Sequence, residues 1–187
     1  PDVDEQDFTI AMSGIRGDLA QAPPPPEPLG IINCTAGTTG RPRLVRRSLA
    51  AEMRTVCALR PMFGDLLNEG TVVAGGLPLF HNSVAAASGL LPWSQGACVI
   101  TAGPRGFLNP DFVKNYWRMI AHYRVTLALL VPAVIAQLLR VPIGEADITT
   151  LSLAISGGAR LSAALQRRFE RAAGVRLLSS YGIVELG

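Results

Sequence analysis

The stretch Asn33-Cys34-Thr35-Ala36-Gly37-Thr38-Thr39-Gly40-Arg41-Pro42-Arg43 gathers three threonine hydroxyls, two glycines and two arginines directly behind the apolar run 29–32. Glycines let a backbone approach a ligand closely and take up positive φ. Successive N–H groups and hydroxyls then form a concave anion site, to which arginines add positive charge. The same residue types also favour a solvated strand-to-helix turn. Taken alone, the stretch is compatible with either.

Three further segments carry groups that could react or bind. His81, in Pro78-Leu79-Phe80-His81, stands at a strand-to-loop transition facing the expected cleft. Ala154-Ile155-Ser156-Gly157-Gly158 is one residue from a G-x-S-x-G nucleophile elbow, which needs an acid and a histidine after the serine. The only histidines, His81 and His122, both precede it, so hydrolase chemistry is not supported. The paired glycines are read instead as room for a flat ligand, or as a tight turn. Glu185, in Tyr181-Gly182-Ile183-Val184-Glu185, is a lone carboxylate that suits a capping or exposed role, or Mg²⁺ opposite a triphosphate. His122, at the end of an amphipathic helix, reads as structural, and two isolated histidines make no metal cage. Neither G-x-x-x-x-G-K-[ST] nor a G-x-G-x-x-G after a strand can be written in the chain.

Composition narrows the setting. The 187 residues suffice for one ordinary domain with a real core. Hydrophobic residues make up 49% and charged residues 17%, with a mean hydropathy of +0.31. That is apolar for an independent domain. The longest apolar run, 125–136, is interrupted by Pro132 and falls short of the roughly 20 residues of a membrane span. A slab of a larger globular domain, with surface open to self-association, is the expectation. The net charge of +3 comes from scattered arginines without interleaved aromatics, so nucleic acid is not an expected partner. Cys34, Cys57 and Cys98 form no CxxC pair and point to neither zinc nor a disulfide framework. With an acidic N-terminus that does not resemble a signal peptide, a cytoplasmic location is expected, a membrane-peripheral one remaining open.

The elements that must position these groups follow from hydrophobic pattern and turn chemistry. A short helix is expected within 8–19, then a proline-rich linker up to Pro28. Strands are expected at 29–34, 71–74, 97–101, 127–131, 151–155 and 175–178. Helices are expected over 45–63, 83–91, 110–122, 132–140 and 163–173. The first of these carries Leu49, Met53, Val56 and Leu59 near helical spacing. The third buries Phe112, Tyr116, Met119, Ile120 and Tyr123, and the last turns Leu165, Phe169 and Ala172 inward. Asn109-Pro110 and Ser162 are start signals and Gly174 is a stop. Apolar strands separated by helices mean an α/β fold with a largely parallel sheet covered on both faces. In such sheets ligands sit beyond the carboxyl ends of the strands. The glycine-rich and polar segments 35–43, 78–83, 156–159 and 179–185 all fall there, which favours a binding loop at 35–43 over a plain turn.

In sequence order, five segments resemble those of the adenylate-forming superfamily of acyl-CoA synthetases, acyl-AMP ligases, luciferases and nonribosomal adenylation domains. Thr35 to Arg43 resembles its phosphate loop [ST]-S-G-T-T-G-x-P-K, and Pro78 to His81 resembles P-L-x-H. Val131-Pro132 and the helix behind it resemble V-P-x-x-x-x-x-L, Ser156 to Ala159 resembles S-G-G-A, and Tyr181 to Glu185 resembles Y-G-x-T-E. The resemblance implies that Thr35, Gly37, Thr38, Thr39, Gly40 and Arg43 hold the ATP phosphates, Thr39 and Arg43 with catalytic roles. Gly157, Gly158, Ala159, Tyr181 and Gly182 would border the adenine, Glu185 would bind Mg²⁺, and His81 would lie beside the acyl and thiol pocket. It further implies ATP and a carboxylic acid, fatty or related, as substrates, with coenzyme A or a carrier-protein pantetheine as acceptor.

Departures from that pattern qualify the expectation. Ala36 stands for the usual serine, Arg43 for lysine and Val184 for threonine. Losing one hydrogen bond to a charged group costs about 1.5–3 kcal/mol, on the order of 10- to 150-fold in rate if it acts in the transition state. Residues 1–28 are expected to be an N-terminal segment and linker, and 29–187 part of an AMP-binding domain that is not a complete enzyme by itself. A degenerate, non-catalytic binding domain of the same fold is the alternative.

Overall fold

A computed structural model describes residues 29–35 and 43–184, with the side chains of 30–34 and 44–184. The expected helix within 8–19 and the proline-rich linker lie outside the described residues. The described chain forms two sheets. Strands β1 (Leu29–Thr35) and β2 (Arg43–Ser48) pair antiparallel as a hairpin, with Thr35 opposite Arg43 at the base of its loop. Strands β3 (Val72–Ala74), β4 (Cys98–Ile100), β5 (Leu127–Leu130), β6 (Leu153–Ser156) and β7 (Leu177–Ser179) form a parallel sheet in the order β4-β3-β5-β6-β7.

Side-chain alternation along the strands divides the core into two layers. Val73, Leu127, Leu129 and Leu153 face one layer, with Val56 and Phe63 of helix α1 (Leu49–Phe63) and with Leu91. Ala74, Ala128, Leu130 and Ala154 face the other. That second layer contains Tyr116, Trp117 and Ile120, Val134, Ile135 and Leu138, and Phe169 and Ala173. These come from the helical segments between Pro110 and His122, Pro132 and Leu138, and Ala163 and Ala173. Both faces of the sheet are thus covered, as parallel pairing requires.

Local signals place most element ends. Helix α2 (Asn82–Ala85) runs through a π-helical stretch, Ala86–Leu90, into α3 (Leu91–Ser94). The Asn109 side chain accepts from Asp111 N and Pro110 occupies the first turn of α4 (Pro110–Lys114). The expected helix over 110–122 breaks at Asn115, whose side-chain amide bonds the Asp111 carbonyl at 2.9 Å before α5 (Tyr116–His122) begins. Pro132 opens α6 (Pro132–Leu138). Ser162 accepts from Leu165 N to cap α7 (Ala163–Ala173), which ends on left-handed Gly174.

Four expectations are corrected. Residues 45–48 belong to β2 because they pair with β1, and α1 begins only after Ser48, which caps it by accepting from Ala51 N at 3.1 Å. The buried stripe of α1 is Glu52, Val56 and Phe63, whereas Met53 is exposed. Ala173 rather than Ala172 turns inward on α7. Tyr123 follows the end of α5 and is half exposed. Among the described residues no helix is long and apolar enough to cross a membrane.

Candidate functional site

Adjacent parallel strands bring several expected site residues to one end of the sheet. β6 and β7 run side by side, with Ser156 opposite Ser179. Beyond them, Ser180 N donates to the Ser156 carbonyl at 2.8 Å and Ser180 Oγ donates to the same oxygen at 3.2 Å. Gly157 N donates to the Leu130 carbonyl at 3.1 Å, tying the turn to β5 as well. A Cβ on Gly157 would stand 2.7 Å from Ser180 Oγ, so the two loops pass close to one another here. Gly158 has φ +76, the left-handed region that favours glycine. Gly157 therefore lies against Ser180, the residue before Tyr181.

The Tyr181 ring is 92% exposed, and nothing lies within 4 Å of a Cβ built on Gly182. An open aromatic beside a glycine edge offers a flat heterocycle a surface to stack on and backbone to bond. Ser156 Oγ is fully buried and makes no hydrogen bond among the described residues. Tyr116 Oη shares that condition within the aromatic core, and burial raises its phenol above the ordinary tyrosine range.

His81 occupies the cap position of α2, behind the turn closed by His81 N donating to the Pro78 carbonyl at 3.1 Å. Its ring is exposed and rests 4.9 Å from that of Phe80. On the hairpin, the backbone pairing of Thr35 with Arg43 holds the two ends of the 36–42 loop together. Gly37, Thr38, Thr39 and Gly40 of that loop, and Glu185, lie outside the described residues. Among the described residues no group of three His, Cys, Asp or Glu side chains is placed to hold a metal.

Sequence reasoning missed a buried polar cluster that ties these segments together. Arg47, Glu52 and Asn82 are all buried. Arg47 Nε donates to Glu52 Oε1, its Nη2 donates to Thr55 Oγ1 at 2.9 Å, and its Nη1 reaches the Val184 carbonyl at 3.4 Å. With its amide nitrogen toward Glu52, Asn82 donates to the two carboxylate oxygens at 3.0 and 3.2 Å. The available signal was Glu52 falling on the inner face of α1, four residues before Val56, where an unpaired charge is not tolerated.

A five-stranded parallel sheet covered by helices on both faces, with glycine-rich and polar turns beyond the ends of β6 and β7, defines an α/β domain with a candidate binding edge. Comparison with known proteins makes the class specific: the profile of the family described as AMP-binding enzyme matches residues 2–187, and the chain belongs to that family. A marinolic acid–CoA ligase of Pseudoalteromonas sp. is 29% identical over 154 residues, 81% of this chain and 24% of that ligase. The enterobactin synthase component E of Escherichia coli is 27% identical over 189 residues, 98% of this chain and 34% of that protein. The chain thus spans roughly a quarter to a third of these relatives' length. Among solved structures, ATP-bound MatB from Rhodopseudomonas palustris superposes with a TM-score of 0.74 at 22% identity, covering 95% of this chain and 33% of MatB. An anthranilate CoA ligase in complex with anthranoyl-AMP gives 0.70 at 24% identity, covering 82% of this chain and 29% of that one. These likenesses establish the fold as that of adenylate-forming enzymes.

Proposed function

We propose that the protein containing this chain activates a carboxylic acid with ATP and passes the acyl group to a thiol. In the first step a carboxylate oxygen attacks the α-phosphorus, forming acyl-AMP as the bond to pyrophosphate breaks. In the second a thiol sulfur, of coenzyme A or a carrier-protein pantetheine, attacks the acyl carbonyl; AMP leaves and the thiol proton passes to solvent. The observation that supports the reading is convergence: the Gly157 turn and Ser180 close on one another beyond β6 and β7, while Arg47 of β2 and Asn82, next to His81, meet at Glu52 and Arg47 reaches Val184.

Each group has a role suited to its place. Thr35, Gly37, Thr38, Thr39, Gly40 and Arg43 hold the polyphosphate, with hydroxyls and a planar guanidinium fork meeting its charge as it develops. Gly157, Gly158, Ala159, Tyr181 and Gly182 flank the adenine. His81, exposed beside Phe80, borders the acyl and thiol space. Glu185 would hold Mg²⁺, which supplies charge neutralisation at the phosphates when bound. That donor fits the metal's preference for carboxylate oxygen shared with substrate phosphates. Residues 29–187 supply only part of the AMP-binding domain in this reading and are inactive alone.

The acid is fatty or related in the finer form of the proposal. Relatives named for long-chain fatty acids, marinolic acid and sulfoacetate support only the broader class of carboxylic acids. The location in this reading is cytoplasmic, with a membrane-peripheral one as its variant. Exposed Leu44, Met62, Phe80 and Leu108 support self-association of the isolated chain, which a clean monomer in sedimentation at high concentration would exclude.

A second reading, a degenerate binding domain, is favoured by Ala36 and Val184. Pyrophosphate exchange into ATP by the full-length gene product, over a panel of carboxylic acids, separates the two. Acid-dependent exchange supports the ligase. Background exchange that Val184→Thr with Ala36→Ser does not raise supports the binding domain.

A further inference from the structure

The buried cluster of Arg47, Glu52 and Asn82 joins three segments of the chain through directional bonds. Arg47 stands on β2, just beyond the phosphate-loop arm. Glu52 is in the first turn of α1, and Asn82 directly follows His81. A guanidinium and a carboxylate withdrawn from water persist only when their remaining hydrogen-bonding groups are satisfied. Here Glu52 accepts from Arg47 and from Asn82, and Arg47 donates further N–H groups to Thr55 Oγ1 and the Val184 carbonyl. The reverse amide orientation would set the Asn82 oxygen against two carboxylate oxygens, so the polarity of the chain is fixed: Asn82 to Glu52, and Arg47 to both Glu52 and Val184.

We propose that Arg47, Glu52 and Asn82 are positioning residues that lock the strand leaving the phosphate loop, the His81 turn and the segment leading to Glu185 into one spatial register. The role rests on the acyl-adenylating reading above. None of the three need touch substrate. Moving Glu52 shifts the phosphate-loop arm and the His81 turn together, and the Arg47 bond passes the shift to Val184. Three reacting parties held by three separate segments make such a clasp valuable, because misplacement by about 1 Å can cost on the order of 100-fold in rate.

The test uses the full-length gene product with Glu52→Gln, Asn82→Asp and the two combined. Each single change breaks the cluster in its own way: the first removes the charge that pairs with the buried Arg47 guanidinium, and the second sets two carboxylates face to face. In the combined variant the amide at position 52 accepts from Arg47 and donates to the carboxylate at position 82, so the chain of donors is restored. Hydrogen–deuterium exchange read by mass spectrometry should rise in residues 43–48, 78–85 and 180–184 in both single variants, and return in the combined one. Pyrophosphate exchange should lose about 10- to 100-fold in kcat in the single variants. KM for ATP should stay within about threefold, and the combined variant should recover.

Loosening confined to α1 would overturn the proposal, whatever the activity. Loosening of all three segments with kcat unchanged would overturn the positioning role in the reaction. Loosening of all three in a protein whose wild type exchanges pyrophosphate with none of the acids would uphold the clasp and count against the acyl-adenylating reading instead.

Discussion

The parallel sheet and the hairpin are held to the molecule by opposite means. The sheet is enclosed by apolar side chains on both faces, with Phe169, Ile120, Ile135 and Leu177 fully buried. The hairpin presents Ile32 and Leu44 to solvent and is anchored through Arg47 to Glu52, Thr55 and Val184. Apolar burial is non-directional and tolerates many arrangements of similar volume. Charged hydrogen bonds fix direction and distance, at a desolvation cost that makes them weak contributors to net stability. The difference teaches where stability and geometry are separately invested: the sheet supplies the first, and the clasp supplies the second beside the loops that would bind substrate.

Substitutions can break this contrast in graded steps. Phe169→Ala, which empties a fully buried ring position under the sheet, should cost about 3–5 kcal/mol in urea unfolding. A cost below 1 kcal/mol would show that the sheet does not depend on this layer. Gly157→Ala should cost about 0.5–1.5 kcal/mol, because its Cβ, 2.7 Å from Ser180 Oγ, would turn that hydroxyl off the Ser156 carbonyl. Differential scanning calorimetry would measure it, and an unchanged Tm would mean the β6 and β7 turns are not closed on one another. Replacing both members of the buried pair, Arg47→Met with Glu52→Leu, should leave unfolding within about 1–2 kcal/mol of wild type while loosening the His81 turn. Chemical denaturation paired with hydrogen exchange checks that separation, and a large loss of stability would erase the contrast.

The smallest expected effect is a pH effect at an exposed site away from both regions. The side-chain and backbone hydrogen bonds from Thr149 lower the pKa of Asp147 below its ordinary value. A depressed folded-state pKa contributes stability above the unfolded-state pKa, and that contribution is lost as pH falls through the folded-state value. Thr149→Ala should move the Asp147 titration upward and trim stability at neutral pH but not in strong acid. Carboxylate NMR titration measures the shift, and an unmoved curve would refute the cause given.

What the sequence revealed follows from how far each signal reaches along the chain. Pro132, Asn109-Pro110, Ser162 and Gly174 act on their own neighbours, and each marks a helix end in the structure. Leu127 to Leu130 is buried residue by residue, so its unbroken apolar run read correctly as an inner strand. Residues 45–48 misled because their strand character is conferred by pairing with β1 rather than by their own pattern. Glu52 went unnoticed for a related reason: an acidic residue in a first helical turn is ordinarily solvated and favoured by the helix dipole. Its partners Arg47 and Asn82 lie on other elements, and nothing local announces Asn82. On the candidate site, the Gly157-Gly158 turn and the Tyr181 segment were legible as glycine and aromatic punctuation after strands. The bonds of Ser180 to Ser156, and of Arg47 to Val184, were not, since tertiary structure alone makes those groups neighbours.

The 137-residue separation between Arg47 and Val184 also orders events in time. A hairpin closes in about 1–10 μs once its strands exist. Arg47 and Glu52 are five residues apart and can meet almost as soon. Val184 follows β7, and β7 has a place only after β5 and β6 have paired through long crossovers, the slow class of contact. The bond from Arg47 to Val184 is therefore among the last to close on folding. A chain halted before its sheet is complete would carry a formed hairpin with one free guanidinium arm, and its binding loops would not yet share a register.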